Sequence, residues 1–408
     1  STAMLYSYLE SNGADVTYYI PDREREGYGL NLQAIDQLHA QGTQLIITVD
    51  NGISSVEEVA YASQLGMDVV VTDHHRPREV LPAACAVVDP HRLDCPSTFK
   101  DFAGVGVAFK LIMALEGPDY DLTSLLENYA DLVAIGTIGD VVPLLGENRT
   151  LVRAGLPHLS RSDRLGLRSL LENASLDNRM LTATNVAFGV VPRINATGRI
   201  GSPDRAVRLL LAEDPEEAAN LAADVCDCNE YRRQIESDIF ERVLEDLERD
   251  PRPLLDRVLV LAGEGWHPGV IGIVAARITE RFGKPSILIS IDGEEAKGSG
   301  RSIEGFSLFE AVCSCSDLLV KFGGHPMAAG LSIRTAAIAQ FRERINRYAA
   351  VHAPHMPVPT LTIDCVLHPE QLTIEVPRSI RLLEPFGTAN PAPLFGLFGV
   401  RLQDITPV

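Results

Sequence analysis

The N-terminal part of the chain alternates short runs of β-branched and apolar residues with stretches of helical spacing. This alternation is typical of a doubly wound α/β domain with a parallel sheet. We expect helices from about Asn31 and from Ser54. The expected strands are residues 16–20, 45–49, 69–72 and 86–88.

Polar residues directly follow two of these strands. Asp50 comes after strand 45–49, and Asp73, His74 and His75 come after strand 69–72. Because the carboxyl ends of parallel strands meet at the edge of an open α/β sheet where ligands bind, we expect these side chains to lie together. Residues 54–57, Ser-Ser-Val-Glu, have the form of a capping box, which predicts a sharp turn from strand into helix.

The rest of the chain changes pattern twice. Residues 102 to 249 have almost wholly helical spacing and end in a long charged helix from Pro215. A second α/β rhythm begins at Val258 and predicts a smaller domain. Residues 353–359 are rich in proline, which is typical of a linker, and the pattern beyond them indicates strands and turns.

Composition limits the class of protein. The chain has 408 residues, 46% of them hydrophobic and 22% charged, so it can bury ordinary cores in two or three domains. The net charge of -19 argues against a protein that coats nucleic acid through a basic surface. An acidic metal site is compatible with that charge, because bound metal ions supply the positive charge that meets a phosphate.

Two absences in the sequence add to this picture. No apolar run approaches the roughly 20 residues that a membrane helix needs, so we expect a soluble protein in the cytoplasm. The 7 cysteines include no C-x-x-C pair, and we expect them to be reduced and mostly buried rather than zinc ligands.

Asp50, Asp73, His74, His75 and Asp140 form the first candidate site. Oxygen and imidazole ligands suit Mn²⁺ or Mg²⁺ better than a structural zinc ion. Paired ions of this kind can bind one phosphate and activate a water molecule, which predicts hydrolysis of a phosphodiester. A single aspartate after a strand is more often a turn residue, whereas consecutive histidines after an aspartate favour the functional interpretation.

Three further segments combine glycine with polar residues. Residues 322–330 place His325 beside glycines that let a substrate backbone come close. Residues 298–302, Gly-Ser-Gly-Arg-Ser, predict a small loop with donors for phosphate, although a tight turn explains either segment equally well. Residues 192–199, Pro-Arg-Ile-Asn-Ala-Thr-Gly-Arg, predict either a functional break in helical sequence or a loop that ends a helix.

In their order and spacing these motifs resemble the DHH phosphoesterase superfamily. Residues 49–52 resemble its second motif, residues 72–75 its third and residues 138–142 its fourth. Residues 323–325, Gly-Gly-His, resemble the signature of the associated DHHA1 domain. Within the superfamily, the segments that resemble the RecJ family in particular are residues 193–199, 266–272 and 385–391.

The resemblance implies an organisation and an activity. It implies a DHH domain over residues 1–212, a connecting helix over 213–250, a smaller α/β DHHA1 domain over 251–352 and the beginning of an OB-fold over 353–408. It further implies a metal-dependent exonuclease that degrades single-stranded DNA from 5' to 3' and releases 5'-mononucleotides in DNA repair and recombination. Besides DNA, the resemblance implies single-strand-binding protein and a RecQ-type helicase as partners. It implies no association with a membrane.

The resemblance also implies residue roles. Asp50, His74 and Asp140 resemble ligands of two divalent ions, Mn²⁺ or Mg²⁺, with Asp50 bridging them. Asp73 would orient the metal-bound imidazole, and His75 would face the scissile phosphate. The implied substrate-binding residues are Arg23, Arg199, Ser299, Arg301 and His325.

The first motif of the superfamily, an Asp-x-Asp-x-Asp-Gly run, is expected immediately before Ser1. The printed chain is therefore expected to bind metal weakly and to hydrolyse poorly, within a natural protein that extends further at both ends. Another enzyme of the superfamily, an oligoribonuclease or cyclic-dinucleotide phosphodiesterase, stays open as an alternative. So does a non-catalytic scaffold, although the intact Asp50, His74 and Asp140 argue against it.

Overall fold

The computed structural model describes residues 1–22, 26–27, 29–358, 360–401 and 403. The chain folds into two compact units. The first comprises Ser1–Asn229 together with Ile363–Val408, and the second comprises Glu230–Thr362. Both are α/β, as expected.

The first unit is rich in helices. They are α1 (Thr2–Ser11), α2 (Leu32–Ala40), α3 (Val56–Gln64), α4 (Gly104–Leu115), α5 (Leu122–Gly139), α6 (Gly146–Leu159), α7 (Leu165–Asn173), α8 (Ala183–Asn185), α9 (Val191–Ile200) and α10 (Asp204–Leu211). The 35-residue α11 (Pro215–Arg249) begins in this unit and ends in the second one. Asn31 begins α2 as predicted, because its side chain accepts a hydrogen bond from the Ala34 N–H at 2.8 Å.

The sheet of the first unit has three parallel strands in the order β1 (Leu45–Val49), β2 (Asp68–Thr72) and β3 (Ala86–Val88). Val49 pairs with Thr72, and Thr72 pairs with Val88, so the three strands end level with one another. The expected parallel sheet is confirmed, and its carboxyl edge is a single row of strand ends.

Two apolar cores hold this unit together. Phe109 of α4 and Val133 of α5 are fully buried in the larger core. Ile35 of α2 and Val59 of α3 pack with Val71 of β2 in the smaller one. Burying an apolar side chain of this size contributes about 1.5–3 kcal/mol, so these helices are fixed against the strands that carry the polar cluster.

A π-helical turn, Val186–Val190, joins α8 to α9. Helix α9 then continues through residues 192–199 and ends at its C-cap, Gly201. The predicted break within residues 192–199 is therefore wrong. Pro192 lies in the first turn of α9, just after the π-helical turn, so its missing N–H interrupts the hydrogen bonds of a continuous helix, and the irregularity lies one turn earlier.

The second unit contains a five-stranded mixed sheet in the order β4-β5-β6-β8-β7. Its strands are β4 (Leu259–Glu264), β5 (Ser286–Asp292), β6 (Glu295–Arg301), β7 (Leu319–His325) and β8 (Ala328–Arg334). Its helices besides α11 are α12 (Ile271–Phe282), α13 (Leu308–Cys313) and α14 (Ile338–His352). Ile287 and Ile289 of β5 enter one core and Leu288 enters another, so helices cover both faces of this strand.

Strand β7 forms an edge of this sheet. Six of its seven residues are exposed, and the pairing with β8 shifts register between Leu319 and Lys321. The strand ends at His325, which pairs with Ala328 of β8.

The C-terminal segment belongs to the first unit. It contains β9 (Cys365–Val366), α15 (Glu375–Ile380) and β10 (Phe395–Gly396), and the two strands pair in parallel. The Leu144 N–H donates to the Thr388 carbonyl at 2.8 Å, and Arg149 of α6 donates to the Leu383 carbonyl at 2.6 Å. These bonds attach the segment near the start of α6.

Three further local predictions are wrong. Residues 16–20 form no strand with the described part of the chain, because an extended segment becomes a strand only where a neighbour supplies hydrogen bonds. The predicted capping box of residues 54–57 is not formed, because the N-cap of α3 is Ser55 and its side chain makes no capping hydrogen bond. Residues 298–301 are not a loop but part of β6, since both β5 and β8 pair with them.

Across the described residues, no helix combines the length and apolar character needed to cross a lipid bilayer.

Candidate metal centre

The candidate centre begins where β1 and β2 end. The Asp50 N–H donates to the Thr72 carbonyl, and the Asp73 N–H donates to the Val88 carbonyl, both at 3.0 Å, so each aspartate extends its strand by one residue. Asp50 then turns the chain with a φ of 65°, a conformation that aspartate tolerates better than most residues. Both side chains therefore stand at the carboxyl edge of the sheet, as predicted.

The Asp73 carboxylate is buried and accepts several hydrogen bonds. Its Oδ2 accepts from the Ile53 N–H at 3.0 Å, and its Oδ1 accepts from the N–H groups of His74 and His75 at 2.7 and 3.2 Å. The same Oδ1 lies 2.7 Å from Nδ1 of His75. Burial alone would raise the pKa of Asp73, but these donors lower it, so the carboxylate is ionised and orients the His75 ring.

His74 faces two carboxylates. Its Nε2 lies 2.9 Å from Oδ1 of Asp50 and 3.3 Å from Oδ2 of Asp140, the C-cap residue of α5. Donor atoms of Asp50, Asp73, His74 and His75 all lie within 4.8 Å of one another. The structure therefore brings together the five residues of the first candidate site.

The electrostatics of His74 reflect this geometry. Burial opposes a charge on the imidazole, yet the hydrogen bond to Asp50 and the charges of Asp140 and Asp50 raise the pKa of His74 to about 9. Burial and the charge of Asp50 raise the pKa of Asp140. In the metal-free protein a proton on His74 supplies positive charge between the carboxylates, where a divalent cation fits.

Gly104, which begins α4, was missed in the sequence analysis. A Cβ atom at Gly104 would lie 2.5 Å from Oδ1 of Asp50, so only glycine allows this approach. The backbone of Gly104 also makes a hydrogen bond to Asp140. A glycine at the start of an otherwise apolar helix was the only signal in the sequence.

Asp89 and His91 were also missed. Asp89 follows β3 at the same edge, is 3% exposed, and accepts a hydrogen bond from the His91 N–H at 2.7 Å. Within the described residues, Asp89 Oδ2 and His91 Nδ1 have no hydrogen-bond partner. Burial raises the pKa of Asp89, with the nearby charge of Asp73 adding to the effect. The signal for Asp89 in the sequence was its position directly after the third predicted strand of this sheet, residues 86–88.

Arg199 lies in the last turn of α9 in the first unit. The beginning of α9 is close to Asp140, because a Cβ atom at Gly139 would lie 3.3 Å from Cγ2 of Val191. Arg23, the other arginine expected in this unit, lies outside the described residues.

Ser299, Arg301 and His325 lie in the second unit. Arg301 Nη1 donates to Ser299 Oγ at 3.3 Å, and both side chains lie beside Gly272 near the start of α12, because a Cβ there would be 2.8 Å from Ser299 Oγ. Ala328 pairs with both Arg301 and His325, so these two residues share one face of the sheet. Burial lowers the pKa of Arg301, which remains a cation.

A carboxylate and imidazole cluster at strand ends, with a separate arginine and hydroxyl pair beside a helix start, is the arrangement expected of the metal-dependent phosphoesterase class. The chain matches the DHH family N-terminal domain over residues 1–137, the DHHA1 domain over 255–350 and the RecJ OB domain over 363–408.

Relatives extend this match to the whole chain. The single-stranded-DNA-specific exonuclease RecJ of Bacillus subtilis is 42% identical over 100% of this chain and 51% of its own length. The Escherichia coli protein of that name is 40% identical over 97% of this chain and 72% of its own length. The chain belongs to the RecJ family, and it spans about half the length of the Bacillus relative.

A solved structure supports the same assignment. RecJ from Thermus thermophilus in complex with Mn²⁺ matches with a TM-score of 0.83 and 37% identity, over 97% of this chain and 56% of that one. The same relative in complex with Mg²⁺ matches with a TM-score of 0.69 and 33% identity, over 89% of this chain and 58% of that one.

Proposed function

We propose that the chain carries out metal-dependent 5' to 3' exonucleolytic hydrolysis of single-stranded DNA and releases 5'-mononucleotides. The observation that carries this proposal is the convergence of Asp50, His74 and Asp140 on one point, with Asp73 and His75 beside it. The names of the RecJ relatives, single-stranded-DNA-specific exonucleases, support the substrate. The role in DNA repair and recombination is what the family resemblance implies.

Asp50, His74 and Asp140 would hold Mn²⁺ or Mg²⁺, the ions with which the Thermus relative is in complex. The family resemblance implies that Asp50 would contact both ions, and its carboxylate lies 2.9 Å from Nε2 of His74 at the end of β1. A bound divalent ion supplies Lewis acidity to a phosphate oxygen and makes a water molecule acidic near neutral pH. The mixed oxygen and nitrogen donors fit such an ion.

Asp73 and His75 are assigned positioning and catalytic roles next to the metal ions. Asp73 holds the His75 ring through Nδ1, and the His75 side chain is 47% exposed. Asp73 meets His74 only at its backbone N–H, not at its metal-facing imidazole. We assign His75 the contact with the scissile phosphate and proton transfer there, and Asp73 the positioning of the His75 imidazole.

The phosphate-binding residues we propose are Arg23, Arg199, Ser299, Arg301 and His325. Arg301 supports this assignment best, because its guanidinium is held by Ser299 and by the Gly300 carbonyl near the start of α12. Helix starts and fixed guanidinium groups are common anion sites.

We also propose the division into a DHH domain (1–212), a connecting helix (213–250), a DHHA1 domain (251–352) and the beginning of an OB-fold (353–408). The long α11 and the matches to the domain models support it. Single-strand-binding protein and a RecQ-type helicase are the partners that we infer, with the cytoplasm as the location. Pull-down of these two partners with the chain is the direct test.

The proposal is tested by digestion of 5'-phosphorylated, 3'-labelled single-stranded DNA with Mn²⁺. Asp50→Asn should abolish shortening from the 5' end and weaken Mn²⁺ binding measured by electron paramagnetic resonance. The matched control is Asp68→Asn, which changes an aspartate at the opposite end of the same sheet. Asp68→Asn should keep both properties.

Two results would contradict the proposal. If the wild-type chain binds Mn²⁺ and cleaves short RNA or cyclic dinucleotides but leaves the DNA intact, the enzyme is another phosphodiesterase of the superfamily. If the wild-type and Asp50→Asn chains bind Mn²⁺ equally, the metal centre is assigned wrongly.

A further inference from the structure

Phe188 is exposed to an unusual degree for a phenylalanine. It lies in the π-helical turn Val186–Val190 of the first unit, and 79% of its surface is accessible. Single exposed apolar residues are common on protein surfaces. The surroundings of Phe188 are what indicate a function.

The turn that carries Phe188 is fixed on both sides. The guanidinium of Arg193 donates from Nη1 to the Gly189 carbonyl at 2.6 Å, which satisfies a carbonyl of the irregular turn. A Cβ atom at Gly189 would lie 2.5 Å from Cδ1 of Leu176, so the backbone is closely packed there. Irregular turns of this kind within helices are frequent at functional sites.

Phe188 precedes two polar residues on the helix that follows it. Val186, Val190 and Ala196 are buried, whereas Phe188 and Asn195 are exposed and Arg199 is partly exposed. Residues 195 and 199 are four positions apart, which places them on one side of α9, and Phe188 lies 7 positions before Asn195, in the π-helical turn that leads into this helix. An aromatic ring, an amide and a guanidinium therefore follow one another along this segment.

Helix α9 begins close to the metal centre. Val191 lies against Gly139, and Gly139 precedes Asp140. Phe188 is only three positions before Val191, about 4.5 Å along a helix axis. Val141, the residue after Asp140, is also 68% exposed, so apolar surface flanks the carboxylate of Asp140.

We propose that Phe188 is a stacking platform for a nucleobase of the single-stranded substrate. This inference rests on the proposed function. Arg199 lies about 16 Å from Phe188 along the helix, so the stacked base would be a few nucleotides from a phosphate at Arg199. Exposed aromatic rings bind single strands because unpaired bases offer a free face, and arginines bind the phosphates. In a duplex that face is covered by the neighbouring bases.

The test compares two probes of equal length and charge, a 5'-phosphorylated oligothymidylate and a 5'-phosphorylated abasic oligomer. Binding is measured by fluorescence anisotropy in Ca²⁺ with the full chain. Phe188→Ala should weaken binding of oligothymidylate by roughly tenfold and leave binding of the abasic oligomer unchanged. Phe188→Trp should retain the wild-type affinity, because it keeps an aromatic face.

Leu115→Ala is the matched control. Leu115 is an exposed apolar residue, 53% accessible, at the end of α4 remote from Gly104. This variant should bind both probes as the wild type does.

Failure of this inference is distinguishable from failure of the proposed function. If the wild type binds oligothymidylate and Phe188→Ala binds it equally well, Phe188 is no platform and the proposed function stands. If Phe188→Ala weakens both probes alike, the residue supports the fold or the backbone contacts and the inference is wrong. If the wild type binds neither probe, the proposed function fails and this inference fails with it.

Discussion

At the scale of single residues, the centre is assembled by hydrogen bonds that need no metal. Asp73 accepts from three backbone N–H groups, so it is held before any ion arrives. His74 and Asp140 are held differently: Asp140 is fixed at the end of α5, and it attracts His74 only when the imidazole is protonated. The hydrogen bonds of Asp73 are therefore insensitive to pH near neutrality, whereas the pairing of His74 with Asp140 depends on pH.

The pKa of His74 predicts a pH-dependent stability of the metal-free chain. Its pKa in the folded state, about 9, is above the ordinary value of 6.5. The charged imidazole therefore contributes stability that is fully present below about pH 6.5 and is lost as the pH rises through about 9. In chelator, His74→Gln should lower the free energy of unfolding at pH 6, by up to about 3 kcal/mol, and much less at pH 10. Urea unfolding measures this difference, and a difference independent of pH would contradict the assignment.

Val141 predicts a conflict between stability and metal binding. Its φ is 60°, which costs a β-branched residue about 1–2 kcal/mol, and the side chain is exposed. Val141→Gly should raise the free energy of unfolding by up to about 1 kcal/mol after the entropy cost of glycine. It should also weaken Mn²⁺ binding, because the backbone after Asp140 becomes looser.

Ser175→Gly is the matched control, with a φ of 54° at a residue outside the centre. It should give a similar gain in stability with unchanged Mn²⁺ affinity. Equal metal affinity in all three proteins, measured by calorimetry, would show that the conformation of Val141 has no role in the centre.

At the scale of elements, strand ends were the most predictable feature. The bounds of β1 and β3 agree with the prediction, and β2 begins one residue earlier, at Asp68. The β-branched runs mark buried parallel strands, and polar residues at their ends cluster because the strands end level. The strand argument brought together only Asp50 and the residues after β2, because no local pattern places Asp140, at a helix end, beside a sheet edge.

Two wrong predictions at this scale, for residues 16–20 and for residues 298–301, have the same cause. Whether such a segment forms a strand depends on partners that are distant in sequence. Residues 16–20 have strand composition without a strand neighbour in the described chain. Residues 298–301 have loop composition, yet two neighbouring strands pair with them. Gly104 could not be selected from sequence, because its importance comes from the approach of α4 to Asp50, whereas Asp89 directly follows a predicted strand, as Asp50 and Asp73 do.

Gly104 gives a prediction about how α4 meets the sheet. Gly104→Ala should shift the start of α4 or the Asp50 carboxylate, because the new Cβ would overlap Oδ1. We expect Mn²⁺ affinity to fall at least about tenfold while circular dichroism shows an intact fold. Gly198→Ala is the control, since a Cβ there meets its nearest neighbour at 3.9 Å. Wild-type affinity in Gly104→Ala would show that the close approach is incidental.

At the scale of the whole molecule, the net charge of -19 limits how DNA can bind. The cationic side chains in the proposed substrate-binding set are Arg23, Arg199 and Arg301. A single strand that meets about three such charges should show a slope of about -2 for log K against log salt concentration.

Anisotropy titrations of oligothymidylate in Ca²⁺ between low and physiological salt measure this slope. Arg301→Gln should make it less steep by about 0.7. A slope of -5 or steeper in the wild type would require a basic surface that these arginines do not account for.

The exposed edge strand β7 has a consequence for how the chain behaves in concentrated solution. Its outward row of peptide groups is a template for another chain, and Val320 and Phe322 add apolar surface. Lys321 and the register shift beside it oppose such pairing, because a charge and a twisted edge resist stacking. Lys321→Val should therefore self-associate at concentrations where the wild type sediments as a monomer, and identical sedimentation would remove that role from the lysine. We therefore expect a single charge and an irregular backbone to keep this exposed edge from polymerising.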